Sequence, residues 1–531
     1  MTPADETREA LWGRLEGPWD VVVVGGGITG AGILHETARR GLSALLVERG
    51  DFASGTSSRS SKLVHGGLRY LAQGDLRMTW ESVRERDRLL AEAPGLVDPI
   101  GFLLAAYRGQ KPGLAAYGTG LFIYDRLGHG AAHRPLSAKE LLMLAPRLAG
   151  EKLLGGFWYR DAQTDDARLV LRVLAEAFDA GASALNHVSV VELLVSGNSA
   201  SGVAVRDILT GRVKRVSAKV VVNATGAWAD RLRAAVGARP AIRPLRGSHL
   251  LFSPWRFPVA QAVTFRHPRD GRPLFAYPWE GLTLLGTTDL DHTTGLDEEP
   301  SITGIEASYL VEAARAAFPG LDLTASAAVS SFAGVRPVIG TGKADPSKES
   351  REHVIWDEGG LVTVTGGKLT TFRRLARDTV HALRHRLPRL KEMKERTPGR
   401  RAAFAPPPAL APRPDLAEAD ARRLAGRHGR HAEKLVAAAR EGELERIPGS
   451  LSLWAELRWA ARAERVERLD DLLLRRVRLG LVLPEGGHEH FGRIRSICQP
   501  ELGWNNERWD MEEERYLDVW RHGHAAHLSH G

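Results

Sequence analysis

A glycine-rich turn near the start of the chain has the residue types that a dinucleotide site needs. Four valines precede the pattern Gly25-x-Gly27-x-x-Gly30, and a helical pattern follows it. These glycines allow a tight turn and let the backbone approach a pyrophosphate at a helix N-terminus. A second apolar run ends at Glu48, where a carboxylate can bind the ribose hydroxyls of an adenosine. This order of strand, turn, helix, strand and acid predicts a dinucleotide site.

A hydroxyl- and glycine-rich segment follows, from Thr56 to Tyr70, with the sequence TSSRSSKLVHGGLRY. The core of a helix–strand protein does not need such a segment. We interpret it as a second loop along the cofactor that ends in a cation and a phenol, Arg69 and Tyr70. The glycines alone do not distinguish NAD from FAD. The segment favours FAD, because a flavin needs a lining that runs from the pyrophosphate towards its ring.

Length and composition limit the possible classes of protein. A chain of 531 residues with 43% apolar residues is typical of a globular protein with two or three domains. No apolar run approaches the roughly 20 residues of a membrane span, and the N-terminus has no apolar signal-peptide core. The single cysteine, Cys498, excludes disulfides within the chain and a cysteine-based metal centre, and it fits a reducing cytoplasm.

The net charge of +9 favours anionic partners. The alternative is a merely solubilising surface in an arginine-rich chain. Because the sequence has no DNA- or RNA-binding motif, we expect no nucleic-acid partner.

The elements around the motifs predict an α/β protein. The buried strand up to Asn223 runs into a turn at Gly226, a second place where the backbone can pass close to a cofactor. At the far end, a strand over Leu361–Thr365 meets glycines that we expect to open a helix at Gly366, continuing to about Leu387. This return to strand, glycines and helix indicates two halves of one cofactor domain with a substrate domain inserted between them.

The predicted fold class is a Rossmann-like FAD-binding domain of the glutathione-reductase type, an inserted mostly-β substrate domain and an all-α C-terminal domain. The clearest helical pattern of the last domain runs from Leu453 to Leu481. The predicted bounds are 1–19 for an N-terminal arm, 20–100, 150–240 and 340–388 for the cofactor domain, 101–149 and 241–339 for the substrate domain, 389–414 for a basic, proline-rich linker, and 415–531 for the helical domain.

The chain resembles the FAD-dependent glycerol-3-phosphate dehydrogenases, the quinone-linked aerobic enzymes. The resemblance covers roughly residues 20–380, in family order, and the helical tail matches more loosely. The motifs SSKLVHGGLRYL and GGKLTT carry it with far more specificity than GxGxxG does. Further matching motifs are TDDARLVL at 164–171, VNATGAW at 222–228, GSH at 247–249, GTTD at 286–289 and GVRP at 334–337.

The resemblance implies non-covalent FAD and oxidation of sn-glycerol 3-phosphate to dihydroxyacetone phosphate, with hydride passing from C2 to flavin N5. The phosphate dianion needs cations that stay charged, and the resemblance assigns this role to Arg69, Arg336 and Lys368. Tyr70 either binds a substrate oxygen or packs. The residues that the resemblance places along the cofactor are Gly25, Gly27, Gly30, Glu48, Arg49, Thr56, Ser57, Ser61, Lys62, Leu63, His65, Val188, Gly226, Gly367, Lys368, Leu369 and Thr370.

Oxidation of a secondary alcohol needs a base for the hydroxyl proton, and histidine suits that role near pH 7. We expect His249 to be this base, with Arg336 and Lys368 beside the reacting centre. His65 is the rival candidate, although its glycine-rich context places it along the flavin. Each histidine has a purely structural alternative.

The resemblance further implies a membrane quinone as electron acceptor, a peripheral contact with an anionic membrane and a place at the inner face of the cell membrane. The N-terminal arm and the basic run 384–401 are candidates for that contact. Three alternatives stay open, namely an oxidase that uses O2, another flavoprotein oxidase of amino acids or 2-hydroxy acids, and a non-catalytic flavin-binding protein. The quinone site and the subunit number, including a homodimer, are also open.

Overall fold

Two β-sheets and a helical C-terminal region make up the protein. The structure is a computed structural model that describes residues 7–72, 74–128, 133–197, 199–342, 349, 352–392 and 402–526, without the side chains of 69, 72, 391 and 392. Within these residues, no helix has the length and apolar character that crossing a membrane requires.

The strands of the described residues alternate with the helices over the first three quarters of the chain. They are β1 Trp19–Val24, β2 Ala44–Val47, β3 Leu63–Val64, β4 Val97–Tyr107, β5 Arg134–Ser137, β6 Leu153–Thr164, β7 Ser183–Leu185, β8 Val188–Ser196, β9 Ser199–Asp207, β10 Val213–Asn223, β11 Ile242–Phe252, β12 Ala262–Arg266, β13 Pro273–Trp279, β14 Leu282–Gly286, β15 Leu290–Asp291, β16 Ser330–Ile339, β17 Val354–Glu358 and β18 Leu361–Thr365.

The helices concentrate after residue 370. They are α1 Arg8–Gly13, α2 Ile28–Ala38, α3 Leu68–Ala72, α4 Leu76–Glu92, α5 Leu114–Leu127, α6 Ala138–Leu144, α7 Asp166–Asp179, α8 Ala229–Ala234, α9 Gly304–Ala317, α10 Phe372–Ala382, α11 Arg389–Glu392, α12 Glu418–His428, α13 Ala432–Ala438, α14 Trp454–Ala463, α15 Leu469–Asp471, α16 Leu479–Val482, α17 Phe491–Leu502 and α18 Asn506–Gly523.

The first sheet has the strand order β17-β18-β10-β1-β2-β7, with the antiparallel pair β8–β9 joined to β10. Its central strands are parallel, and their apolar residues are buried on both faces, because helices cover one face and α1 with the β8–β9 pair covers the other. Helices α2, α7 and α10 pack together on one face. The carboxyl ends of β1 and β10 therefore meet at one edge, where open parallel sheets bind ligands.

The second sheet is largely antiparallel and has the order β15-β11-β14-β13-β12-β4-β6-β3, with β16 paired to β11 and β5 to β6. The predicted combination of an α/β domain, a mostly-β domain and a helical tail is confirmed. The sheet memberships differ from the predicted domain bounds, because β3 and β6 pair within this second sheet although both were expected in the cofactor domain.

Two helix predictions were wrong. The residues from Gly366 to Thr371 form a loop, and α10 begins only at Phe372. Gly366 and Gly367 have φ values of +74° and +82°, which a right-handed helix cannot include.

The pattern from Leu453 to Leu481 is three short helices with a π-helical turn, Leu472–Arg476, rather than one helix. It breaks at Arg465, whose φ is +54°. The π-helical turn aims Arg475 and Arg476 at the buried Asp51, in the loop after β2.

Candidate active site

The turn between β1 and α2 approaches other backbone so closely that its first and third pattern glycines cannot be replaced. A Cβ at Gly30 would lie 1.9 Å from the carbonyl oxygen of Gly25, and a Cβ at Gly25 would lie 2.5 Å from that of Ala224. Gly27 caps α2 with extended backbone and no side-chain hydrogen bond. The first amides of α2 thus face the edge of the sheet with the partial positive charge of a helix N-terminus.

Glu48 lies directly after β2, beside this turn. Its carboxylate accepts hydrogen bonds from the amides of Gly26, at 2.6 Å, and Gly50, at 2.8 Å. Burial raises the pKa of Glu48, and the two amide hydrogen bonds oppose that rise. The acid is therefore fixed where the first two parallel strands end.

One short 3₁₀ turn, Thr56–Ser58, joins the glycine turn to a large cavity. Ser57 Oγ accepts a hydrogen bond of 3.0 Å from the amide of Ile28, at the start of α2. Its neighbour Thr56 lines the cavity and donates to the carbonyl oxygen of Val335. The predicted second loop thus runs from the dinucleotide turn to the cavity.

The cavity has a volume of about 1110 Å³ and lies between the two sheets. Thr370 Oγ1 contacts the carbonyl oxygen of His65 at 3.4 Å, which links the 366–371 loop to the Thr56–Tyr70 segment. The structure brings ten of the sequence-predicted site residues to the wall of this cavity: Thr56, Ser61, Leu63, His65, Tyr70, Arg336, Gly367, Lys368, Leu369 and Thr370.

Arg336 lies on β16, and its guanidinium group extends across β11 at Gly247. A Cβ at Gly247 would lie 2.1 Å from Arg336 Nη2, so only glycine leaves space for the guanidinium. Nη1 donates to Asp289 Oδ1 at 2.9 Å, and Nη2 donates to Thr287 Oγ1 at 3.1 Å. The guanidinium is therefore held in one orientation, with part of its surface on the cavity wall.

Lys368 places a second cation on the cavity wall. Its Nζ lies 3.4 Å from the centroid of the Tyr70 ring and donates to Ser82 Oγ at 3.2 Å. The cation–π contact and the hydroxyl orient the ammonium group. Arg69, the third predicted cation, precedes Tyr70 on α3, but its side chain lies outside the described residues.

His249 is fully buried and lies behind the cavity wall rather than on it. Its Nε2 is 2.9 Å from Ser61 Oγ, and its ring stacks on Phe332 with centroids 4.6 Å apart. Gly286 makes room for the ring, because a Cβ there would lie 2.2 Å from His249 Cδ2. Ser61 lines the cavity, so a hydroxyl group stands between His249 and the cavity.

Burial, together with the Arg336 and Lys62 cations, holds the pKa of His249 well below its usual value. The imidazole is therefore neutral at pH 7. His65, the rival base, is only half-buried and reaches the cavity wall itself.

The Lys62 side chain does not reach the cavity. It is fully buried, and its Nζ donates to Asp166 Oδ1 and to the carbonyl oxygen of Ser58, both at 2.9 Å. Burial lowers the pKa of Lys62 to about 8, and Asp166 opposes this shift. A contact of Lys62 with a cofactor would have to come from its backbone.

Three other predicted cofactor residues lie away from the cavity. Arg49 is half exposed and pairs with Asp297 at 2.5 Å, Val188 donates its amide to the carbonyl oxygen of Glu48 at 2.8 Å, and Gly226 begins the turn after β10 with a φ of +60°. Arg49 follows β2, Gly226 follows β10, and Val188 contacts Glu48 after β2, so all three lie near the carboxyl ends of the parallel strands.

Sequence reasoning missed Arg272 and Asp289. Arg272 lines the cavity and pairs with Asp289, which also binds Arg336. Asp289 lies in the motif GTTD, whose match to the family could have indicated a site residue. Arg272 lies in an ordinary turn, GRP, which has no sequence pattern typical of a site.

The residues present fit FAD. Three features form one continuous binding surface. They are the glycine turn that leaves no room for a side chain, the carboxylate of Glu48 and the loop from Ser57 to the cavity. A dinucleotide needs the first two, and a flavin ring needs the third.

Comparison with known proteins agrees with this geometry. Residues 20–373 match the family model described as FAD-dependent oxidoreductase, and residues 365–509 match the C-terminal domain of alpha-glycerophosphate oxidase. The chain is 42% identical over 375 residues to the aerobic glycerol-3-phosphate dehydrogenase of Bacillus subtilis, covering 70% of this chain and 67% of the relative. The enzyme of the same name from Staphylococcus haemolyticus is 36% identical over 497 residues, 88% of each chain.

Solved structures lead to the same family. The glycerol-3-phosphate dehydrogenase from Bacillus halodurans, complexed with FAD, has a TM-score of 0.75 and 30% identity, and the match covers 97% of this chain and 98% of that one. The L-alpha-glycerophosphate oxidase from Mycoplasma pneumoniae, with a TM-score of 0.55, 19% identity and coverage of 69% and 95%, shares the fold. The chain therefore belongs to the FAD-dependent oxidoreductases and, within them, to the family of the aerobic glycerol-3-phosphate dehydrogenases.

Proposed function

We propose that this protein oxidises sn-glycerol 3-phosphate to dihydroxyacetone phosphate and passes the electrons to a membrane quinone. The observation that carries the proposal is the cavity wall, where the fixed guanidinium of Arg336 and the ammonium of Lys368 face the loop that fits a flavin. FAD, when bound, supplies the hydride acceptor.

The chain would hold FAD with two groups of residues. The amides of Gly27, Thr29 and Gly30 would bind the pyrophosphate, since those of Gly26 and Ile28 already donate to Glu48 and Ser57, and Glu48 would bind the ribose. The flavin end would lie against the two loops that Thr370 and His65 join. The cofactor residues proposed around these contacts include Ser61, Leu63, Gly367, Lys368 and Leu369 on the cavity wall, and Arg49, Lys62, Val188 and Gly226 off it.

Arg336 and Lys368 would bind the substrate phosphate. Arginine offers a bidentate fork and lysine a point charge, and both stay charged at pH 7. Because Thr287 and Asp289 already fix Arg336, little entropy is lost when the phosphate binds. Tyr70 would orient the ammonium of Lys368, and we assign Arg69 the same anion-binding role from its sequence position.

His249 would take the hydroxyl proton through Ser61. The neutral imidazole can accept a proton from Ser61 Oγ, and Ser61 can in turn accept the substrate proton in the cavity. A phosphate dianion beside Arg336 offsets one of the cations that lower the pKa of His249. Substrate binding would therefore strengthen the base at the moment when it is needed.

An apolar surface beside the cavity mouth supports the contact with a membrane. Lys111 and Pro112, just before α5, and Tyr117, in its first turn, line the cavity, and farther along the helix Phe122 and Ile123 are exposed. On α4, which packs against α5, Leu76 and Trp80 are exposed beside Arg77 and Arg84. An exposed apolar surface with basic residues suits the headgroup region of an anionic bilayer.

The acceptor has a second candidate, O2. The family model for residues 365–509 takes its description from an alpha-glycerophosphate oxidase, which favours this alternative. Comparing O2 uptake with reduction of a quinone analogue by the same preparation decides between the two acceptors.

The substrate assignment is tested on the purified protein with FAD bound. Glycerol 3-phosphate should bleach the flavin spectrum, and Arg336→Ala should keep the flavin but lower kcat/KM by about 10- to 150-fold, since a hydrogen bond to a charged group contributes roughly 1.5–3 kcal/mol. Arg269→Ala, which removes an exposed arginine paired with Glu312, is the control. Unchanged turnover in Arg336→Ala would contradict the assignment.

Membrane contact is tested by flotation with anionic vesicles at low salt. The double variant Phe122→Gln, Ile123→Gln should lose flotation, and Trp255→Gln, which alters an exposed tryptophan after β11, should keep it. No flotation of the unmodified protein would count against the membrane contact.

A further inference from the structure

Two arginines and one aspartate form a row across the second sheet, on the wall of the cavity. Arg272 precedes β13, Asp289 follows β14, and Arg336 lies on β16. In the sheet, β13 pairs with β14, β14 with β11, and β11 with β16. The guanidinium of Arg336 crosses β11 above Gly247, so all three side chains meet at the same end of these strands.

Asp289 binds both arginines, one with each oxygen. Its Oδ1 accepts from Arg336 Nη1 at 2.9 Å, and its Oδ2 lies 3.0 Å from Arg272 Nη2. The aspartate side chain is fully buried, whereas Arg272 and Arg336 are 18% and 22% exposed and both line the cavity. The carboxylate is thus behind the wall, and the two guanidinium groups form part of the wall.

The charges of this row leave room for an anion. The three side chains of the row sum to a net charge of about +1, and Lys368 adds a positive charge on the same wall. Asp270, in the turn before Arg272, interacts electrostatically with that arginine. A phosphate monoester carries about two negative charges at pH 7 and accepts hydrogen bonds from forked donors. Two guanidinium groups held by a shared carboxylate provide such donors without the cost of ordering them.

We propose that Arg272 is a second guanidinium ligand of the phosphate group, paired with Arg336, and that Asp289 is the positioning residue that sets the two arginines. This proposal rests on the proposed function for its substrate, a phosphate monoester. The simpler alternative is that Arg272 only neutralises the buried Asp289.

The experiment measures binding of inorganic phosphate to the FAD-loaded protein, followed by the change in flavin absorbance. Arg272→Gln should raise the Kd for phosphate by about 10- to 100-fold, the loss of one charged hydrogen-bonding group. Arg272→Lys should give a smaller increase, because lysine keeps the charge but not the fork. Arg269→Gln, a neighbouring exposed arginine that pairs with Glu312, should bind phosphate like the unmodified protein.

A double variant separates the two roles of Arg272. The double variant Arg272→Gln with Asp289→Asn is compared with Asp289→Asn alone, because loss of Asp289 also releases Arg336. If Arg272 only neutralises the carboxylate, the two variants bind phosphate equally. Binding at least 10-fold weaker in the double variant than in Asp289→Asn supports direct contact. Equal binding in these two variants, or no loss in Arg272→Gln, would overturn the proposal.

Failure of this inference is distinguishable from failure of the proposed function. Phosphate binding needs no turnover, so a protein that binds phosphate through Arg272 but does not oxidise glycerol 3-phosphate would contradict only the assigned reaction. If oxidation proceeds and Arg272→Gln binds phosphate normally, only the inference falls.

Discussion

At the scale of single residues, the hydroxyl of Ser61 connects a fully buried histidine to the cavity. His249 lies behind the wall, and its Nε2 is 2.9 Å from Ser61 Oγ. The motif GSH identified the histidine, but no sequence pattern shows that it acts through Ser61, which lies 188 residues away.

Ser61→Ala should lower kcat for glycerol 3-phosphate by about 10²- to 10⁴-fold, the usual contribution of a positioned acid–base group. KM should change little, because Ser61 carries no charge for the phosphate. Ser60→Ala is the matched control, since Ser60 also lines the cavity but its hydroxyl donates to Asp166. Steady-state kinetics checks the prediction, and a variant with unaltered kcat would remove Ser61 from the proton path.

At the scale of elements, the close pairing of strands decides which side chains fit. The guanidinium of Arg336 lies directly against Gly247 on the neighbouring strand β11, and His249, two residues on, occupies the space left by Gly286 on β14. Two glycines in neighbouring strands therefore position an arginine and a histidine of the site, through contacts that only the sheet register creates.

Gly247→Ala should displace Arg336, because the new Cβ would lie 2.1–2.5 Å from three guanidinium atoms. The flexible side chain can move, so the protein should fold and keep its flavin while KM for glycerol 3-phosphate rises about 10-fold or more. Gly340→Ala is the control, as its Cβ would meet Arg243 at an ordinary 3.6 Å. Equal KM values in the two variants would show that Arg336 tolerates the displacement.

At the scale of the whole molecule, the helical C-terminal region supports the Thr56–Ser58 loop beside the cavity. Arg475 and Arg476 donate to Asp51 Oδ2, both at 2.5 Å, and Arg478 donates to the carbonyl oxygen of Ser58 at 3.2 Å. Although burial raises the pKa of Asp51, the two arginines hold it below its usual value. These buried ion pairs join the helical region to the first sheet.

Asp51→Ala should lower the free energy of unfolding by about 3–5 kcal/mol, because it removes the carboxylate that two buried guanidinium groups share, although Arg475 keeps its pairs with Asp470 and Asp471. Flavin affinity should fall as well, since Asp51 lies between Glu48 and the Thr56–Ser58 turn. Urea unfolding monitored by tryptophan fluorescence measures the first effect. Asp415→Ala, which breaks the exposed pair with Arg413, should leave the unfolding free energy essentially unchanged. A similarly small effect in Asp51→Ala would refute the supporting role.

The sequence by itself determined the dinucleotide turn, the fold class, the family and ten of the residues on the cavity wall. These properties depend on local spacing: the Gly25–Gly30 pattern, the Thr56–Tyr70 segment and the GGKLTT loop act through residues that are close in the chain. The helix at Gly366 was predicted wrongly because both glycines have positive φ angles in a loop where Gly366 lies against the backbone of residue 352 and Gly367 against Leu375.

The tertiary structure decided the contacts between distant segments. It placed the Lys62 side chain in a buried ion pair, placed His249 behind Ser61, and joined Arg272 to Arg336 through Asp289. Each of these contacts depends on strand register and on which face of a sheet is covered. Strand register and the covered face of a sheet leave no local pattern in a single sequence, because the groups that meet lie tens to hundreds of residues apart.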